Sequence, residues 1–384
     1  MSAFVTALVT LGLVAAPRPA TPAIAGNTSP NAGASVTYVF AAKGAARYRC
    51  ALDSTVLHPC AKRLTLRLTA GTHVLRVQAV DPAGGRSAVV KLVIVARTPV
   101  PELAVRQAWQ IDVSGGRTTA DLNAVGIGPG GNVYVTDGVD NRVVVYDSLG
   151  KLVRSFGSAG SGPGQFDFQS NTYEGPGISL ATLAVDPRTG DVYVAETQRV
   201  QRFDADGRFE ASLGASGLGN GQFLRVIGLT VDSAGSLYTV EDRPVTLGRV
   251  QKFDDAGHFL TTFGRGQIMD SGGVAVDAAG HVLVTDDAAD VIDVFGADGR
   301  LLRKIGEPGN APGQLNFPTA LAVSGNTLVV ADTRHSRMVL FDLTTGRPTG
   351  YWATPFQPYW VAADPSGAVY VVAPNGVLTK YLRP

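Results

Sequence analysis

Along residues 103–384, short apolar runs alternate with polar turns at a repeating interval. The runs "GNVYVTD", "GDVYVAE", "GSLYTVE", "GHVLVTD" and "NTLVVAD" are rich in β-branched residues, and each ends on a carboxylate. A second apolar run follows each one: "NRVVVYD", "RVQRFD", "RVQKFD", "VIDVFG" and "RMVLFD". A more polar third run closes on glycine, as in "KLVRSFG", "RFEASLG", "HFLTTFG" and "RLLRKIG". Short runs bounded by Gly, Asp and Asn are strand signals, and a helical period is missing from the region. Each unit reads strand, turn, strand, loop, strand, turn, strand.

Glycine-rich joints punctuate the units. "GSAGSGPGQF", at 157–166, has the look of a phosphate-cradling loop. Such a loop needs a helix behind it to hold the pyrophosphate, and more strand follows instead. The "GQF" of this joint returns at 221–223, as "GQI" at 266–268 and as "GQL" at 313–315. Four strands per unit, repeated at this interval, are the mark of a β-propeller blade. The count is six blades. The sixth stops after three strands at "VLTKYL", while "LAVRQAWQIDV" at 103–113 is similar to the outer strands. That segment is expected to complete the last blade, because an open ring would leave two unpaired sheet edges.

The stretches "LAVDPRTGDVYVAE" and "YVTDGVDNRVVVYD" resemble the NHL-repeat family. The resemblance implies a six-bladed β-propeller over 103–384. Some NHL-type propellers are lyases with several histidines and a metal near the channel. His58 and His73 lie outside the repeats, and His258 and His281 fall in tight turns on the opposite face, so only His335 reaches the connecting-loop face. A histidine-dependent lyase is not expected.

Residues 28–97 form a different unit. "SVTYVF", "ARYRCAL", "RLTLRL", "THVLRVQAV" and "SAVVKLVIV" read as strands of a small β-sandwich. With "YRCALDSTVLHPC" and "GTHVLRVQAVD", the unit resembles the Ig-like modules of bacterial exported proteins. Residues 98–102 read as a linker. The apolar run at 3–16, followed by prolines and then Ala23-Ile24-Ala25, reads as a signal peptide over 1–25, with an uncleaved anchor as the alternative because no Lys or Arg precedes the run. The two cysteines, Cys50 and Cys60, then suggest one structural disulfide. The protein is expected to be secreted or held at the cell envelope, with no membrane span once the leader is removed.

Composition narrows the partners. Hydrophobic residues make up 45% and charged residues 17%, as in an ordered globular chain. A net charge of +1 gives no support to a nucleic-acid partner.

The candidate chemistry has two parts. Asp137, Glu196, Glu241, Asp286 and Asp332 recur at the end of the second strand, with Arg142, Arg199, Arg249 and Arg337 opposite. The plainer reading is an ion pair fixing the loop within a blade. The functional reading is an acidic ring suited to a cation, with Asp286 and its neighbour Asp287 unmatched by arginine. The second part is aromatic. At the start of the inner strand, Ala124, Thr182, Gly228, Gly273 and Ala320 are matched in blade six by Trp360, preceded by Tyr359. These two, with Phe356, Phe168 and Tyr173, are either a plug where the ring closes or a platform for a sugar or peptide.

The expectation is an all-β chain: an Ig-like sandwich, then a six-bladed propeller. Its function is expected to be noncatalytic binding of a protein or glycan on the connecting-loop face, as a monomer without a resident cofactor. The rival is a lyase or lactonase-like hydrolase using a divalent cation, Ca²⁺ foremost, with Asn123 and Asp286 as ligands.

Overall fold

A computed structural model describes residues 18–113, 122–168, 181–196, 198–241, 248–268, 270–373 and 376–383. The chain divides into two compact units, Met1–Pro99 and Val100–Pro384.

In the first unit, a three-stranded sheet of Ala23–Ala25, Ser35–Ala41 and Arg63–Arg67 faces a four-stranded one. The latter orders His58–Cys60, Arg47–Leu52, Gly71–Val80 and Val90–Ala96 side by side. Period-two alternation sends Tyr38 and Phe40 inward from one sheet and Leu75, Val77, Ala79 and Ile94 inward from the other. Cys50 and Cys60 stand on neighbouring strands and form a disulfide, their Cα atoms 5.8 Å apart. Ala23–Ala25, read as the cleavage site, is the edge strand paired to Ser35–Ala41, and Ile24 packs against the core. Cleavage after residue 25 would strip that strand away.

The second unit is a ring. Sheet one comprises Leu122–Ile127, Val133–Asp137, Arg142–Tyr146 and Leu152–Phe156; sheet two comprises Thr182–Val185, Val192–Glu196, Arg199–Phe203 and Phe209–Leu213. Sheet three runs Val226–Val231, Leu237–Glu241, Arg249–Phe253 and Phe259–Phe263; sheet four runs Val274–Val276, Val282–Asp286, Val291–Phe295 and Leu301–Ile305. Sheet five holds Pro318–Ser324, Thr327–Asp332, Arg337–Asp342 and Pro348–Ala353. Sheet six holds Trp360–Ala363, Val369–Val372 and Val377–Leu382, with Arg106–Asp112 as its outer strand. The first strand of each sheet lies beside the first strand of the next, and that of sheet six lies beside that of sheet one. The early segment therefore closes the ring, pairing Ile111 with Leu378 and Trp109 with Lys380. Of the residues read as a linker, 98–102, the last belong to the ring, since Pro101 O accepts from Tyr351 N and Glu102 bridges to the same residue.

The recurring "GQF" joints serve packing. Phe166, Phe223, Ile268 and Leu315 are essentially fully buried between successive sheets. Phe166 sits 5.5 Å, ring to ring, from Phe203 of the following sheet. Burying one such side chain contributes about 2–3 kcal/mol. The joint requires glycine where it turns. Gly157 has φ +90°, and a Cβ there would stand 2.3 Å from the Phe166 ring. The inner strands are also close: a Cβ on Gly272 would meet Thr319 O at 2.1 Å.

Candidate functional site

The repeated carboxylates lie inside the sheets, where they hold the joints. Arg249 Nε donates to Glu241 Oε1 at 2.8 Å, and its Nη1 and Nη2 donate to Leu218 O and Gln222 O of the joint. Arg199 repeats this on Glu196, Ser161 O and Gln165 O, and Arg337 on Asp332, Ala311 O and Gln314 O. The carboxylate meanwhile accepts the next amide of the joint, from Asp167 N, Leu224 N or Asn316 N. Arg142 binds Asp137 at 3.0 Å in a more exposed pair. Arg199, Arg249 and Arg337 each tie the incoming joint to their own sheet.

Sheet four departs from this plan. Val291 replaces the arginine, and the cation comes from the outer strand: Lys304 Nζ is 2.9 Å from Asp293 Oδ1 and 3.8 Å from Asp286 Oδ2. Asp286 also accepts from Ala289 N. The expectation that Asp286 stands unmatched is thus corrected, because the pairing residue lies on another strand. Asp287, like Asp286, is buried. Burial raises the carboxyl pKa of Asp293 above its ordinary value, and Lys304 pulls it part of the way back.

The axis of the ring is narrow. Two residues from every first strand surround it: Ala124 and Val125, Thr182 and Leu183, Gly228 and Leu229, Gly273 and Val274, Ala320 and Leu321, Trp360 and Val361. The cavity at the axis measures about 40 Å³, room for a few waters. Trp360 is half-buried and packs on both flanking cores. The carboxylates of the supposed acidic ring are not part of this lining. Among the described residues, no three His, Cys, Asp or Glu gather where they would hold a metal ion.

The aromatic candidates separate. Phe168 is fully buried and stacked on Phe166 at 4.7 Å, so it serves the core and offers no platform. Phe356 packs against the core between sheets five and six. Tyr359 is half-buried at the rim, where its carbonyl accepts from Thr319 Oγ1. Tyr173 lies outside the described residues. Asn123 stands in the strand Leu122–Ile127, and its side chain is likewise outside them.

Beside Tyr359, the rim of sheet five carries a feature the sequence reading missed. Phe317 has φ +58°, a conformation costly for a bulky residue. Its amide donates to Asp290 Oδ1 at 2.6 Å, and the exposed Arg334 stacks over its ring at 4.4 Å. His335 follows, with Nδ1 2.9 Å from Asp332 Oδ2 and Nε2 3.0 Å from Asn310 Oδ1. The available signal was "GQLNFP": an aromatic ahead of proline at a position where sheet three's joint has Arg225 and sheet four's has Asp270.

No family model matches the chain. Over 138 residues it is 30% identical to Protein brain tumor of Drosophila melanogaster, a match covering 35% of this chain and 13% of that protein. Among solved structures, it is similar to a streptogramin B lyase, with a TM-score of 0.50 and 11% identity over 72% of this chain and 98% of the other. It is equally similar to a chain of the nidogen/laminin complex, with a TM-score of 0.50 and 13% identity over 76% and 98%. The fold is a β-propeller. Its repeat is NHL-like, and the sheets are its blades. At such identities the likeness is one of architecture, and function has to be argued from the site.

Proposed function

We propose that this propeller protein is an extracytoplasmic, noncatalytic binder that grips a protein or glycan on its connecting-loop rim, carrying the first unit as an Ig-like module. The filled axis is the main support. Among the described residues, the cavity at the axis measures about 40 Å³ and is lined mainly by small and aliphatic residues, whereas ligand pockets enclose about 300–1,000 Å³. Recognition then falls to the rim, where Arg334 over Phe317 and the half-buried Tyr359 offer flat, rigid surface. An extracytoplasmic setting is supported by the apolar run at 3–16 and by the Cys50–Cys60 disulfide. Among the described residues, no helix is long and apolar enough to cross a membrane.

The test is a titration of the full chain with defined oligosaccharides and purified extracellular proteins, followed by tryptophan fluorescence. Arg334→Ala and Tyr359→Ala should each weaken the response at least tenfold while melting is unchanged. An undiminished response in both variants would reject the rim. Ca²⁺ or a chelator should leave melting where it was; a clear Ca²⁺ stabilisation would instead favour a cation site.

A further inference from the structure

The near-zero net charge is the sum of two opposed units. Residues 1–99 hold eleven Lys and Arg against two Asp and no Glu, a net of +9. Residues 100–384 hold 22 against 30, a net of −8. The acids of the propeller are largely engaged by its own repeat, in arginine clasps and in caps of tight turns such as Asp204 on Arg208 N and Asp254 on His258 N. In the sandwich, both carboxylates are also taken. Asp53 binds His73 at 2.6 Å and caps Val74 N, and Asp81 accepts from Gly85 N.

The cations are concentrated on the sandwich's outer faces. On the four-stranded sheet, alternation turns Arg47, Arg49, Arg76 and Lys91 outward, opposite in sense to buried Tyr48, Cys50, Leu75 and Val77. Arg76 and Lys91 are direct cross-strand partners. Like charges placed opposite each other destabilise a sheet, so this pairing works against folding. Arg76 Nη1 bonds Ser54 O at 3.0 Å, and Arg49 bonds Leu57 O. On the three-stranded sheet, Arg63 and Arg67 flank Thr65, whose hydroxyl meets that of Thr37 at 2.9 Å.

We propose that the sandwich docks the protein onto an anionic polysaccharide, seated on the outer face bearing Arg47, Arg49, Arg76 and Lys91. A flat membrane would call for cations on one face, and here both faces carry them. Single-stranded nucleic acid would call for outward aromatics to stack on, whereas Tyr38, Phe40 and Tyr48 are all buried. A second copy's propeller is a poor match because its carboxylates are already bonded within its own blades. A flexible chain of spaced anionic groups suits cations set along one sheet face, as Arg47, Arg49, Arg76 and Lys91 are.

The experiment uses the full chain on immobilised heparin and polygalacturonate, with phosphatidylglycerol vesicles, duplex DNA and sedimentation of the protein alone as parallel arms. Wild type should bind the polysaccharides, and Arg76→Gln/Lys91→Gln should bind at least tenfold more weakly with a shallower salt dependence. Melting should be unchanged or raised in that variant, since a like-charge pair has gone. Lys91→Gln, at an exposed site, gives an independent check and should lose binding in part. Arg347→Gln in the propeller should bind as wild type. Failure of wild type to bind either polymer overturns the proposal. So does equal retention of the double variant, tighter binding to vesicles or DNA, or self-association through the sandwich.

Discussion

Arg249 Nε meets Glu241 Oε1 at 2.8 Å with both side chains almost wholly buried, and Gln251 Nε2 donates to the same oxygen at 2.8 Å. Removing one member strands a charge away from water. Arg249→Met should therefore destabilise the propeller by about 3–5 kcal/mol. The equivalent Arg142 is more than a third exposed, but its partner Asp137 is buried, so Arg142→Met should also destabilise, though by less than Arg249→Met. Urea denaturation of both variants checks the contrast. Equal losses would mean that the clasps do not draw their strength from burial.

Blade four offers the opposite asymmetry. Asp293 is fully buried, while Lys304, its partner, is 44% exposed. Lys304→Met leaves a buried carboxylate and should destabilise by about 3 kcal/mol. Asp293→Asn leaves only a lysine that can reach water, and should be neutral or stabilising at pH 7. The pKa of Asp293 is raised in the folded protein, so the fold binds its proton more tightly than the unfolded chain does. This carboxyl then favours folding at low pH and does so less as pH climbs through its folded value. The advantage of Asp293→Asn over wild type should accordingly grow between pH 4 and pH 8. Denaturation series at the two pH values would show it.

The propeller was readable in the sequence because its strands repeat a local code: β-branched runs, turn glycines and a carboxylate at a fixed place. Closure by 103–113 was readable too, since a missing strand at one end matched a spare one at the other. The site was less so. Phe168 looked like rim and is core, because the joint folds back and stacks it on Phe166. Asp286 looked unmatched, because Lys304 is distant in sequence and arrives on the outer strand. Phe317 passed unnoticed, since a left-handed backbone at a bulky residue contradicts local preference and is imposed by the Asp290 contact and by packing.

In the sandwich, His73 Nδ1 meets Asp53 Oδ2 and Nε2 meets Thr69 O at 2.8 Å. Both partners are acceptors, which favours the charged imidazolium. The Asp53 hydrogen bond raises the pKa of His73, and that of Asp53 is lowered in return. The histidine contribution is full below its unfolded pKa and is lost as pH rises through the higher folded value. The aspartate contribution is present above its unfolded pKa and is lost as pH falls through the lower folded value. The difference in melting temperature between wild type and Asp53→Asn should thus be greatest at about pH 4–6.5 and shrink on either side. A flat difference from pH 3 to 9 would show that the pair acts through shape alone.

Ala23–Ala25 completes the three-stranded sheet, and Ile24 fills part of the sandwich core. A chain beginning at residue 26 should lose about 2 kcal/mol of sandwich stability, from the buried isoleucine and the edge strand together. A chain beginning at residue 18 should retain it. Calorimetry on the two truncations decides between them, and equal melting would mean that the strand is dispensable.

Phe317 separates strain from contact at the rim. Phe317→Gly removes the ring but suits φ +58°, whereas Phe317→Ala removes the ring and keeps the unfavourable backbone. The glycine variant should be the more stable of the two by about 1 kcal/mol, the reverse of the order expected for an ordinary extended residue. Both should release Arg334 from its stacked position and weaken ligand binding alike. Trp360→Ala supplies the companion measurement. If the indole is chiefly a plug at the axis, its loss should lower melting by several degrees while Arg334-dependent binding survives. If it is part of the platform, binding should fall with melting intact.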